Sequence, residues 1–134
     1  MKTFRDLDAW QRAVDLVEQV YLLTERFPSH QQFSLTQQMQ KSSVSVPSNI
    51  AEGQGRFSLA EWKQFLGHAR GSLYEIECQA IIAERLGYID SEQSIHVMAL
   101  IGEVGRLLSG LIRYVDGRIP RRRRVGATRR TASG

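Results

Sequence analysis

Two sets of residues in this chain have the types and spacing to do chemistry. The first is Asn49 and Glu52, inside Ser45-Val46-Pro47-Ser48-Asn49-Ile50-Ala51-Glu52-Gly53, together with Ser72 and Glu75, which follow Ala69-Arg70-Gly71. An amide, a hydroxyl and two carboxylates crossing two helices either form a hydrogen-bonded network that fixes register or capture a polar ligand. Arg56 or Arg70 is close enough in sequence to neutralise the carboxylates. The second set is Arg118, Arg121, Arg122, Arg123, Arg124, Arg129 and Arg130, with no acid between Gly117 and Gly134. Guanidinium forks bind phosphates bidentately, so an all-arginine segment suits an RNA or DNA backbone. A solvated end that only promotes solubility has the same composition.

Other chemistries find little support. Di-metal sites in helical bundles need inward Glu plus Glu-x-x-His pairs on two helices. Here neither His68 nor His96 has a Glu three residues before it, His30 falls in a loop, and Glu92 with His96 is a single pair. The one cysteine, Cys78, excludes an intramolecular disulfide and any multi-cysteine metal site. It lies between the core positions Ile76 and Ala80, where an inert thiol and a reducing compartment are expected. With no strand there is no glycine-rich phosphate loop after one. The expectation is a protein with no catalytic residues, no metal and no cofactor.

Charge divides the chain. Removing the seven arginines from its 18 Lys and Arg leaves 11 against 14 Asp and Glu, a net of −3 for residues 1–116. The overall +4 therefore belongs to the last eighteen residues. The first 30 residues lack a basic start followed by an apolar core, and the charge-free run from Gln93 to Gly102 is half of what a membrane span needs. A soluble, cytoplasmic protein without a membrane role is expected.

Four segments carry a helical period and none alternates like a strand. The first spans about Leu7 to Phe27, with Asp6 or Asp8 as cap and Pro28 as stop. It has two seams: Leu7, Trp10, Val14, Val17, Tyr21, and Ala13, Leu16, Val20, Leu23, Phe27. The second opens at Ser34 with Gln37 at capping-box spacing, carries Pro47 as an expected kink, and exits through Gly53 and Gly55 in left-handed conformation. The third opens on the pair Ser58 and Glu61, runs through Leu66, Leu73 and Ile76, and ends at Gly87, about 40 Å in all. Gly67 and Gly71 on it are expected to permit a close helix crossing, and Trp10 and Trp62 to lie in the core. The fourth runs from near Ser91 to near Val115 with twin seams through Met98 and Val97, and Gly102, Gly105 and Gly110 suggest close packing. Short connections favour an all-α, antiparallel up-down-up-down four-helix bundle over residues 1–116, followed by a disordered arginine-rich tail over 117–134. The second seams on the first and fourth helices leave surplus apolar surface, which points to a homo-oligomer.

The Ser-Val-Pro-x-Asn-Ile-Ala-Glu-Gly stretch ending at Gly53 and the Ala-x-Gly-Ser-x-x-Glu stretch ending at Glu75 resemble the small bacterial bundle family encoded in intervening sequences of 23S rRNA. Phe4-x-x-Leu7-x-x-Trp10-x-x-Ala13 and the run from Val20-Tyr21 to Phe27-Pro28 fit the same pattern, so the resemblance covers residues 4 to about 90. It implies a left-turning four-helix bundle assembled as a pentameric ring. The stretch from Leu100 to Leu108 is also similar to the accessory variability proteins of diversity-generating retroelements, which share the fold, bind nucleic acid and partner a reverse transcriptase. The arginine tail is not part of either shared pattern.

Three functions are compatible with these residues. The leading expectation is a non-enzymatic oligomer that binds nucleic acid, RNA above DNA, with the body forming the ring and the tail contacting phosphates. The alternatives are a scaffold for a protein partner, and a small-molecule sensor built on Asn49, Glu52 and Glu75.

Overall fold

A computed structural model describes residues 3–32 and 34–120 of the chain. Four helices, α1 (Asp8–Thr24), α2 (Leu35–Gln54), α3 (Leu59–Arg85) and α4 (Ser91–Arg118), make up nearly all of it. α1 packs on α2 and α4, and α3 packs on α2 and α4, so the four stand in a closed square with the core along its axis. No strand occurs among the described residues. The antiparallel bundle is as the periodicity requires.

The core is one continuous cluster. Ala13, Leu16 and Val20 of α1, Met39, Val46 and Ile50 of α2, Leu66, Ala69 and Ile76 of α3, and Val97, Val104 and Leu108 of α4 are all fully buried. On α1 the buried line is the seam through Ala13 and Leu16, while Val14 and Val17 of the other seam are half-buried. On α4 the buried line takes Val97 and Val104 from one seam and Ile101, Leu108 and Val115 from the other. Leu100, Leu107 and Leu111 pack half-buried at its flank. A square bundle covers a wide apolar sector on each helix, so the twin seams leave less free surface than their number suggests.

Several termini differ from the sequence expectation. Thr3 and Asp6 form a capping box on a short 3-10 turn (Phe4–Asp6), and α1 then begins behind Leu7 without a side-chain cap. α1 ends at Thr24, whose hydroxyl donates to the Val20 carbonyl at 2.9 Å. Ser34 does not cap α2, because its hydroxyl turns back to Gln31 Oε1 at 2.6 Å. α2 continues as one helix through buried Pro47. Ser58 does cap α3, accepting from the Glu61 amide at 3.0 Å. Asp90 and Gln93 close a full capping box on α4.

Glycine positions are the clearest corrections. Only Gly87 has positive φ, at 80°. The Tyr88 amide reaches the Ala83 carbonyl at 2.9 Å and the Gly87 amide reaches Glu84 at 3.0 Å, a Schellman end to α3. Gly55 stays right-handed, so α2 has no left-handed exit. Gly53 is needed for closeness instead: a Cβ there would meet Phe65 Cβ at 2.8 Å and Trp62 Cδ1 at 2.9 Å. Gly67 and Gly71 face open space and mediate no crossing.

The bundle also runs two residues past its expected boundary. α4 includes Gly117 and Arg118, and the chain leaves helical geometry at Ile119 (φ −72°, ψ 132°). The residue before a proline is driven from the α region, so Pro120 sets the end and Gly117 does not. Arginines 121, 122, 123, 124, 129 and 130, and the expected disorder, lie outside the described residues. α4 is long and apolar enough by length and composition to cross a membrane. Only 22% of its apolar window is buried inside the bundle, so the core face accounts for part of that composition.

Candidate functional site

The polar residues singled out from the sequence are only partly brought together. Asn49 donates through Nδ2 to the Ser45 carbonyl at 2.8 Å and to Ser45 Oγ at 3.0 Å. Ser45 Oγ in turn meets Ser72 Oγ at 2.8 Å across the α2/α3 seam. One turn back along α2 and two turns on along α3, Gln79 donates to Ser42 Oγ at 3.3 Å, with both side chains buried. These bonds join two helices through neutral groups, each small enough to sit between backbones. The bonded hydroxyls and amides favour one register of α2 against α3, although the buried Gln79 Oε1 has no hydrogen-bond partner.

Neither carboxylate is hydrogen-bonded into that chain. Glu52 faces solvent and pairs with Arg56, one turn on along the chain, at 2.7 Å. Arg56 also lies over the Phe65 ring at 4.6 Å. Glu75 is exposed at the rim of a groove of about 320 Å³ beside Lys41, Ser45 and Ser72. Of the four residues, Asn49 and Ser72 are joined through Ser45, Glu75 lines the groove beside them, and Glu52 pairs with Arg56 instead. Ser45, Ser42 and Gln79 complete the network that is present. Their signal was the run of small polar residues on α2, but spacing on one helix cannot say which turn of another it meets.

Cys78 is exposed, because Ile76, Gln79 and Ala80 take the inward positions of that turn. Trp10 and Trp62 are half-buried against the core, and Trp62 Nε1 has no hydrogen-bond partner. Among the described residues no three His, Cys, Asp or Glu side chains gather as a metal ion would need.

The strongest charge feature lies on the opposite side of α3. A groove of about 430 Å³ between α3 and α4 is lined by Arg70 and Tyr74 from α3 and by Arg106, Ser109 and Arg113 from α4. All three arginines are exposed, and among the described residues none makes an ion pair. Gly102 and Gly105 line the same groove. The Arg106 guanidinium lies 3.4 Å from where a Gly102 Cβ would stand, and that of Arg113 3.8 Å from the corresponding position at Gly110. Missing side chains thus leave room for two guanidiniums to lie along α4. Tyr74 is 63% exposed, an aromatic face presented beside them.

Among the remaining cations, Arg12, Lys63 and Arg118 are held by neighbours, while Arg26, Lys41 and Arg85 are exposed and make no ion pair among the described residues. Arg12 of α1 bonds Glu103 of α4 at 2.8 Å and also pairs with Asp15. The bond to Glu103, then that to Asp15, raises its already high pKa, so it stays charged wherever the protein folds. Lys63 pairs with Asp116 at 2.8 Å. Arg118, the described member of the arginine tail, folds back to donate to the Tyr114 hydroxyl at 2.8 Å.

These features define an antiparallel four-helix bundle with a neutral polar seam on one side of α3 and an unneutralised basic groove on the other. The chain belongs to the 23S rRNA-intervening sequence protein family, whose model matches residues 5–110. Arg113 and the tail arginines fall beyond that match. Its structure is similar to a crystal structure of a protein of unknown function from the S23 ribosomal protein family of Bacteroides thetaiotaomicron. The two share 23% sequence identity with a TM-score of 0.72, over 78% of this chain and 97% of that one. No curated protein matches the sequence.

Proposed function

We propose that this chain is a non-enzymatic, cytoplasmic bundle protein that self-associates and binds nucleic acid, RNA in preference, through its arginines. The observation that carries the reading is the separation of charge. A body of net −3 precedes a segment with seven arginines and no acid, attached where α4 ends at Arg118. Neutralising phosphates releases counterions, which makes such binding favourable without any base-specific contact. Self-association is supported by large apolar side chains left outside the bundle, including Leu22 at 60% and Ile95 at 69% exposure. Five subunits is the assembly favoured by the family resemblance. The similarity of the segment around Gly102 to accessory variability proteins is consistent with a nucleic-acid role.

The test compares the full chain with a chain ending at Arg118 on one structured RNA across a salt series. Each phosphate neutralised contributes roughly 0.7 to 0.9 to the slope of log affinity against log salt. Loss of the six arginines beyond Arg118 should flatten the slope by about three to four, on the footing that four or five of them are engaged. Equal affinities and slopes would make the segment a passive end and favour a protein-binding scaffold. Light scattering on the same samples should give several times the 15.2 kDa chain mass, and a clean monomer would overturn the assembly.

A further inference from the structure

We propose that the α3/α4 groove is a second, built-in nucleic-acid site, which seats a single strand of RNA with phosphates on Arg106 and Arg113 and a base on Tyr74. The proposal rests on the nucleic-acid reading above but assigns it to residues of the folded body. It begins from an imbalance. The body as a whole is acidic, yet three exposed arginines converge on one groove, and among the described residues no carboxylate pairs with any of them. Positive charge lining one groove without a counter-ion raises the local concentration of anions and favours their entry.

The geometry favours a chain of charges over a single one. The Arg106 guanidinium lies over Gly102 and that of Arg113 over Gly110, eight residues apart on one helix. At 1.5 Å per residue that is about 12 Å along the axis, too far for both forks to close on one phosphate. Arg70 faces them from α3 across the groove. A polymer with regularly repeated phosphates meets all three; a free phosphate meets one at a time.

Tyr74 separates single strands from duplexes. Its ring is 63% exposed at the wall of the groove and takes part in no ring contact among the described residues. An aromatic face beside a basic track is the arrangement on which unpaired bases stack, whereas a duplex keeps its base faces covered. Ser109 adds a hydroxyl in the same groove, able to donate to a phosphate or to a 2′-hydroxyl. The Arg113 end of the groove is also the end from which α4 leads toward the arginine segment.

The experiment uses the full-length chain with its tail intact. A fluorescein-labelled oligouridylate and a hairpin-forming RNA of equal length are titrated against wild type, R106Q/R113Q, Y74A and Y74F, with thermal melts confirming that each variant folds. R106Q/R113Q should flatten the salt slope for the single strand by about 1.4, the loss of two phosphate contacts. Y74A should weaken single-strand binding about tenfold with the slope unchanged, and Y74F should bind as wild type, because stacking needs the ring and not the hydroxyl. If wild type binds while R106Q/R113Q keeps its affinity and slope, the groove is not a site and the tail alone binds. If Y74A weakens hairpin and single strand equally, or neither, the single-strand assignment is overturned. Absence of RNA binding by wild type would overturn the nucleic-acid reading itself and this site with it.

Discussion

The two sides of α3 treat polar residues in opposite ways. Toward α2, Ser45, Ser72, Asn49, Ser42 and the Gln79 amide nitrogen find partners in one another within 3.3 Å beside a smaller groove, and Gln79 Oε1 is left without one. At one end the backbones close until Gly53 sits against Phe65 and Trp62. Toward α4, Arg70, Arg106 and Arg113 find no partner among the described residues, and the helices leave a groove open to solvent. The first arrangement uses polarity to hold a register. The second leaves charge available, which a bundle tolerates only where water can solvate the guanidiniums until a ligand replaces it. Side chains that satisfy each other are poor candidates for binding; those that the fold leaves unsatisfied and exposed are better ones.

Gly53→Ala should break the closed side most severely. A methyl placed 2.8 Å from Phe65 Cβ, a backbone-anchored atom, forces α2 and α3 apart. Overpacking of this kind costs about 1–3 kcal/mol, so the thermal midpoint should fall by several degrees. An unchanged midpoint would mean that the α2/α3 contact is looser than the geometry here.

Ser45→Ala should have the next largest effect. It removes the shared partner of Ser72 and Asn49, and losing such bonds at half-buried groups costs about 1 kcal/mol in urea denaturation. Glu52→Ala is its contrast. That side chain is exposed and pairs only with Arg56, so stability should move by less than about 0.5 kcal/mol. If Glu52→Ala proved the more damaging, the carboxylate would belong to the network from which the geometry separates it.

The smallest change sharpens the comparison from the other side. Gly67→Ala and Gly71→Ala place a methyl in open space on α3, so helix propensity alone decides, and each should stabilise the protein by up to about 1 kcal/mol. A loss of stability at either position, in a sample whose assembly state is measured in parallel, would show that a second copy packs there.

The family motif illustrates how much a linear pattern can carry. Its Asn49 and Glu52 stand three residues apart on one helix, which places them on neighbouring rows of the surface and suggests joint action. In the fold Asn49 turns to Ser45 and the α3 side, and Glu52 turns outward to Arg56. Arg70, Arg106 and Arg113 gave no such signal, since single arginines 36 and 43 positions apart resemble an ordinary solvated surface.

Four helices, their order and their inward faces follow from the sequence alone, because a 3.6-residue apolar period and local caps such as Ser58 and Asp90 act within one segment. The charge asymmetry and the family motifs are likewise properties of the chain as written. Which turn of one helix lies against which turn of another is a tertiary matter, fixed by the packing of side chains from distant segments. That packing made Gly53 a contact and left Gly67 and Gly71 open. It also paired Glu52 with Arg56 and not with Asn49, and set Arg70 across a groove from Arg106 and Arg113. Periodicity specifies the direction of a side chain around its own axis, and only the neighbouring helix determines what that side chain meets.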